Sequence, residues 1–154
     1  MPSHECRKLR PIMASEWGRV SSPQHFRAKI GADPAEIGEV RGAVRALADG
    51  SGFAERDNDI ILALDELLAN AQEHGRPPIE VNAWSDGRLV IEVTDSGGGF
   101  DYQEVLAGHP PVVDLTRGRG LWIVRQLSDT LRVTREGQRT RVRMELTPEP
   151  HIGA

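Results

Sequence analysis

The hydrophobic period switches at Pro77-Pro78, and that switch constrains the fold more than any other feature of the chain. Upstream of it, Ile37, Val40, Val44 and Leu47 recur at helical spacing, as do Ile60, Ile61, Leu64, Leu67, Leu68 and Ala71. Downstream, Ile79, Val81 and Ala83, then Leu89, Ile91 and Val93, alternate with polar neighbours. A helical stripe needs one apolar surface to lie on, and strict alternation presents one apolar sheet face. The two halves therefore complete each other, with helices covering one side of a sheet.

Local signals divide the chain further. His25 to Ile30 is a short strand candidate. Asp33-Pro34-Ala35-Glu36 opens a helix with an N-cap acid, a proline at the first position and an acid in the first turn, and Gly50-Ser51-Gly52 ends it. A second helix starts near Asp57 and stops at Gly75 ahead of the two prolines. Ser85-Asp86-Gly87 turns a hairpin whose second strand ends at Gly97 to Gly99. Asp101 to Arg117 reads as a long loop, of the kind that often carries function. Gly118-Arg119-Gly120 opens a helix to about Ser128, and Leu131 to Thr134 with Arg139 to Thr147 forms a closing hairpin. Strand, two helices, two strands, loop, helix and two strands make an α+β chain with helices on one face of the sheet. Residues 25–147 form the domain, 1–24 a flexible arm and 148–154 a tail.

With 154 residues there is room for one ordinary domain. No apolar run approaches the roughly 20 residues of a membrane span, no secretory leader follows the basic start, and Cys6 is alone. A cytoplasmic protein without membrane contact is expected. A net charge of −4 argues against bulk nucleic-acid binding, which leaves small molecules and proteins as partners.

Three polar groupings carry chemistry. Glu66 and Asn70, four residues apart, share one helix edge, with Glu73 and His74 a turn further on. A carboxylate there can take a proton from an attacking hydroxyl, and an amide oxygen can ligate Mg²⁺. Alone, the pair would be a solvated edge. Asp95 has the parity of Leu89, Ile91 and Val93 and so points inward, where a carboxylate needs a donor such as the amino group of adenine. Gly97, Gly98 and Gly99 then remove side chains where a base and ribose would press. Gly118-Arg119-Gly120-Leu121 places free amides and a helix dipole where phosphate can bind, with Arg117 and Arg119 available for charged contacts. Neither a Gly-x₄-Gly-Lys-Ser/Thr loop nor a βαβ dinucleotide fingerprint is present. In order and context the three groupings point to a site for ATP with Mg²⁺.

The same residues resemble the GHKL ATPase superfamily, and within it the anti-sigma-factor serine kinases of the RsbW and SpoIIAB type, over roughly Phe26 to Thr147. Glu66-Leu67-Leu68-Ala69-Asn70-Ala71-Gln72-Glu73-His74-Gly75 looks like the family's N box, Asp95-Ser96-Gly97-Gly98-Gly99 like its first glycine box, and Gly118-Arg119-Gly120-Leu121 like its second. The resemblance implies the Bergerat fold, a two-layer α/β sandwich with a mixed, mainly antiparallel sheet and a lid over Phe100 to Arg117. It implies Glu66 as general base, Asn70 as Mg²⁺ ligand and Asp95 as adenine anchor. It further implies a homodimer that binds a sigma factor and phosphorylates a STAS-domain anti-anti-sigma protein. Histidine kinases of the superfamily usually carry Asn where this chain has Glu66, and use a helical phosphoacceptor domain. Two other readings stay open: a non-catalytic module whose ATP orders a docking surface, and the catalytic part of a split histidine kinase.

Other residues mean less. Arg139, Arg141 and Arg143 form a basic row on the outer sheet face with Trp84, Glu80 and Glu92, a solvated face before it is a docking one. His4 and His25 are ordinary surface residues, Trp122 packs in the core, and His109 has no catalytic role.

Overall fold

The computed structural model describes residues 25–97 and 119–148, with Arg119 described in its backbone only. β1 (His25–Ile30) leads into α1 (Pro34–Asp49), a 3-10 turn (Ala54–Arg56) and α2 (Asp57–His74). The hairpin β2 (Ile79–Ser85) and β3 (Leu89–Asp95) follows, then α3 (Arg119–Leu127), β4 (Thr130–Glu136) and β5 (Arg139–Leu146).

The start of α1 obeys its local code. Asp33 is extended at the N-cap and accepts a hydrogen bond from the Ala35 amide at 2.9 Å, while Pro34 occupies a position that needs no donor. Glu36 in that first turn also accepts from the Gly31 amide at 3.3 Å, tying the helix to the end of β1. At the other end of α2 the Gly75 amide closes on the Ala71 carbonyl at 2.9 Å.

The sheet order is β1-β2-β3-β5-β4. Every pairing among the described strands is antiparallel, so over these strands the sheet expected to be mixed is uniform. The inner face, including Phe26, Val81, Ile91 and Met144, meets Val44 and Leu47 of α1, Leu64 and Leu68 of α2, and Leu121 and Val124 of α3 in one core. Burying a side chain such as Leu64 contributes about 1.5–3 kcal/mol, which is why the helical stripes and the strand alternation specify each other.

β4 runs further than its apolar residues indicated, to Glu136. The polar pair Arg135-Glu136 gains its hydrogen bonds from β5 up to the turn, where Gly137 takes φ 60°. Strand pairing thus overrides a weak local preference.

The outer face is an ion-paired surface. Arg139 meets Glu80 at 2.9 Å, Arg141 meets Glu92 at 3.8 Å and Arg143 meets Glu145 at 2.8 Å. Trp84 is stacked against His25 at 6.0 Å, with the Arg143 guanidinium 5.2 Å from its ring centre. His25 therefore has a defined place: Nε2 lies 2.8 Å from Asn82 Oδ1, and burial lowers its pKa against the opposing pull of that hydrogen bond.

Sequence reading passed over Arg56, which is buried at the start of α2. Its guanidinium donates to the carbonyls of Leu127 and Thr147 at 2.9 Å each and lies 3.8 Å from Asp129. One cation thereby fixes the end of α3 against the end of β5. Among the described residues no helix is long and apolar enough to cross a membrane.

Candidate functional site

Helix α2 carries the first grouping along one edge, because residues four apart in a helix stack. Glu66 is half-buried, and Asn70 a turn later is buried. No described residue hydrogen-bonds the Asn70 side-chain amide. Glu73 is exposed, and its carboxylate lies 3.8 Å from Nε2 of the half-buried His74.

Packing of α3 on α2 brings the third grouping to the first. Gly120, in the first turn of α3, lies so near Glu66 that a Cβ there would stand 2.5 Å from Glu66 Oε2. Leu121 beside it is fully buried and holds the helix in the core. The Glu66 carboxylate therefore sits at the amide end of α3, where the helix dipole favours negative charge.

The end of β3 completes the arrangement. Asp95 is 5% exposed, on the inner face as its parity required. Its carboxylate packs against the Cα of Gly75, closer than any Cβ on that residue would allow. Gly97 in turn packs on the Gly75 backbone, where an added Cβ would meet the His74 carbonyl at 2.9 Å. Glycine is required at both positions by close approach and not by backbone angle, since Gly75 is extended.

Burial raises the Asp95 carboxyl above its ordinary value of 3.8, opposed by hydrogen bonds from the backbone of Gly97 and Arg76 and by the charge of Arg135. The Gly97 amide donates to Asp95 Oδ1 at 2.7 Å. These amides hold the side chain in place while leaving acceptor capacity for a ligand.

Two residues were missed. Thr140 is fully buried, lies opposite Asp95 in the β3–β5 register, and donates to the Gly97 carbonyl at 3.5 Å. Arg135 lies opposite Thr140 in turn. Alternation had already turned Thr140 inward, but only the pairing of β3 with β5 puts it beside Asp95.

Eight of the twelve expected side chains or glycines are thus placed: Glu66, Asn70, Glu73, His74, Asp95, Gly97, Gly120 and Leu121. Arg119 opens α3 with its side chain outside the described residues, as are Gly99, Arg117 and Gly118. The shallow depression on the outer face lined by Thr94, Thr134, Glu136, Arg139 and Arg141 belongs to the other side of the sheet from Asp95 and is not part of this constellation.

The donor set suits Mg²⁺ in one respect. A hard cation that keeps several waters and takes phosphate oxygens needs only one or two protein oxygens, and a buried amide with no described partner is chemically able to supply one. Among the described residues no cluster of three His, Cys, Asp or Glu side chains offers a fuller cage.

A family model described as a histidine kinase-like ATPase domain matches residues 30–146. Among solved structures, the RsbU and RsbW domains of Rv1364c from Mycobacterium tuberculosis superpose with a TM-score of 0.56 at 21% identity, over 80% of this chain and 32% of that one. The Acinetobacter baumannii histidine kinase AdeS gives a TM-score of 0.49 at 12% identity, over 80% of this chain and 68% of that one. In sequence, the sensor protein CseC of Streptomyces avermitilis is 55% identical over 47 residues, which is 30% of this chain and 9% of that protein. The chain thus spans about a third of the first of these structures and about a tenth of the sensor protein.

Proposed function

The chain belongs to the histidine kinase-like ATPase domain family, and from that premise we propose that it is a serine kinase acting as an anti-sigma factor. It binds a sigma factor in one state, and in another it uses ATP with Mg²⁺ to transfer the γ-phosphate to a serine of a STAS-domain anti-anti-sigma protein. The observation that carries this reading is the position of Glu66, half-buried against the amide end of α3 and on the same helix edge as Asn70.

Helix α2 sets the scale of the site. From Gly75, which touches Asp95, to Glu66, which touches Gly120, the helix advances nine residues, or about 13 Å at 1.5 Å each. A nucleotide can lie along that edge with its base at Asp95 and its phosphates at the start of α3. Asp95 accepts from the exocyclic amino group, and Thr140 steadies the Gly97 carbonyl behind it. Asn70 would hold Mg²⁺, which would supply charge neutralisation at the phosphates. Glu66 takes the proton of the serine hydroxyl as its oxygen bonds to the γ-phosphorus and the bridging phosphorus–oxygen bond breaks, leaving ADP.

The test is a transfer assay with radiolabelled ATP, Mg²⁺ and a STAS-domain protein. Acid-stable phosphoserine is expected, and Glu66→Gln should slow its formation by about 10²- to 10⁴-fold. Transfer by this variant at the wild-type rate would remove Glu66 from the role. The 47-residue likeness to a sensor protein supports a second reading, the catalytic part of a split histidine kinase. That reading predicts acid-labile phosphohistidine on a helical partner. ATP-dependent partner binding with no transfer to either acceptor would favour a non-catalytic module.

A further inference from the structure

We propose that Arg135 is a nucleobase-binding residue, its guanidinium lying against the face of the adenine whose amino group Asp95 accepts. The inference rests on the nucleotide reading above and extends it to an edge-strand residue outside the three motif segments.

Three observations place Arg135 there. First, Leu131 and Val133 pack toward the core, and Arg135 shares their parity, so its side chain leaves β4 on the inner face. Second, Asp95, Thr140 and Arg135 form one row across three adjacent strands. Two strand spacings of about 4.8 Å separate the ends of that row, which an arginine side chain and a purine ring together bridge. Third, Arg135 stays exposed, and among the described residues its guanidinium makes no ion pair. On the outer face Arg139, Arg141 and Arg143 each have a carboxylate partner, while Arg132 makes no ion pair among the described residues. Being exposed at the edge of the inner face, that of Arg135 is open to a ligand seated at Asp95.

The base end of the nucleotide fits this position and the phosphate end does not. Asp95 touches the last turn of α2 at Gly75, whereas Glu66 and Gly120 lie about 13 Å back along that helix. The Arg135 row is level with Asp95. A planar, weakly hydrated guanidinium stacks on an aromatic face as an ammonium does not. Its charge also opposes the effect of burial on the Asp95 carboxyl.

Titrating wild type, Arg135→Ala and Arg135→Lys with ATP and with adenosine, followed by amide chemical shifts, separates base from phosphate contact. For Arg135→Ala, affinity should fall by roughly 3- to 30-fold, and by the same factor for both ligands. Arg135→Lys should recover less than half of the loss on a logarithmic scale. A loss confined to ATP, with adenosine unchanged, would overturn the inference, because the arginine would then act on phosphate charge. Full recovery by Arg135→Lys, or wild-type affinity in Arg135→Ala, would overturn it too while leaving the nucleotide site standing. Wild-type protein that bound neither ligand would overturn the nucleotide reading itself, and this inference with it.

Discussion

At the scale of single residues, Asp95 is held in a state that costs stability and serves binding. Its folded pKa lies above its unfolded value, so the folded chain holds this proton more tightly, and raising the pH through that interval withdraws stability. Asp95→Asn keeps an acceptor for the Gly97 amide and removes the charge. We expect it to weaken ATP binding by about 10- to 100-fold while leaving the melting temperature equal to or above wild type, as calorimetry of the variant and wild type would show. For wild type, ATP affinity should decline as the pH falls through the raised Asp95 value, and that dependence should vanish in the variant. The glycines divide by what they touch. An Ala at 97 would drive into the Gly75 backbone and the His74 carbonyl, which cannot swing away, and should cost about 3 kcal/mol in urea unfolding. An Ala at 120 meets only the flexible end of Glu66, and its better helix propensity, worth about 1 kcal/mol, offsets the contact. Gly120→Ala should therefore fold normally yet transfer phosphate at least about tenfold more slowly, since Glu66 is displaced.

Elements are positioned by contacts that no local pattern announces. The amide end of α3 can face Glu66 only if the helix is anchored at both ends. Leu121 and Val124 bury its apolar side, and Ser128 donates to the Val124 carbonyl at 2.7 Å. Arg56 holds the far end through the Leu127 carbonyl. Arg56→Ala should cost about 3 kcal/mol, because two carbonyls and Asp129 lose the same donor. ATP affinity should fall as well, as α3 loosens. Arg56→Lys keeps the charge but cannot span both carbonyls, so it should restore only part of either quantity. Nothing around Arg56 in the sequence distinguishes it from a surface arginine before a helix, which is why sequence reading passed over it.

For the molecule as a whole, one sheet separates two surfaces with different duties. The inner face carries the core and, at its end, the row Asp95, Thr140 and Arg135. The outer face is a lattice of exposed ion pairs, each worth about 0–1 kcal/mol. Arg139→Ser combined with Arg141→Ser should therefore shift unfolding free energy by less than about 1 kcal/mol and leave ATP affinity unchanged. A loss of ATP binding in that double variant would mean that the two faces are coupled through the strands.

By itself the sequence determined most of what is local. Helical stripes, strand alternation, the Asp33 cap, the Gly75 stop and the inward parity of Asp95 all follow from periodicity and backbone chemistry within a few residues. The pairing of Glu66 with Asn70 did too, because helix geometry places residues four apart on one edge. Tertiary structure alone decided which strands are neighbours and how close the helices come. Thr140 and Arg135 entered the row of Asp95 only because β5 inserts between β3 and β4, and strand order depends on the burial of the whole inner face. The contacts of Gly120 with Glu66 and of Gly75 with Asp95 are distances between segments far apart in the chain, fixed by packing and not by any residue's own preference.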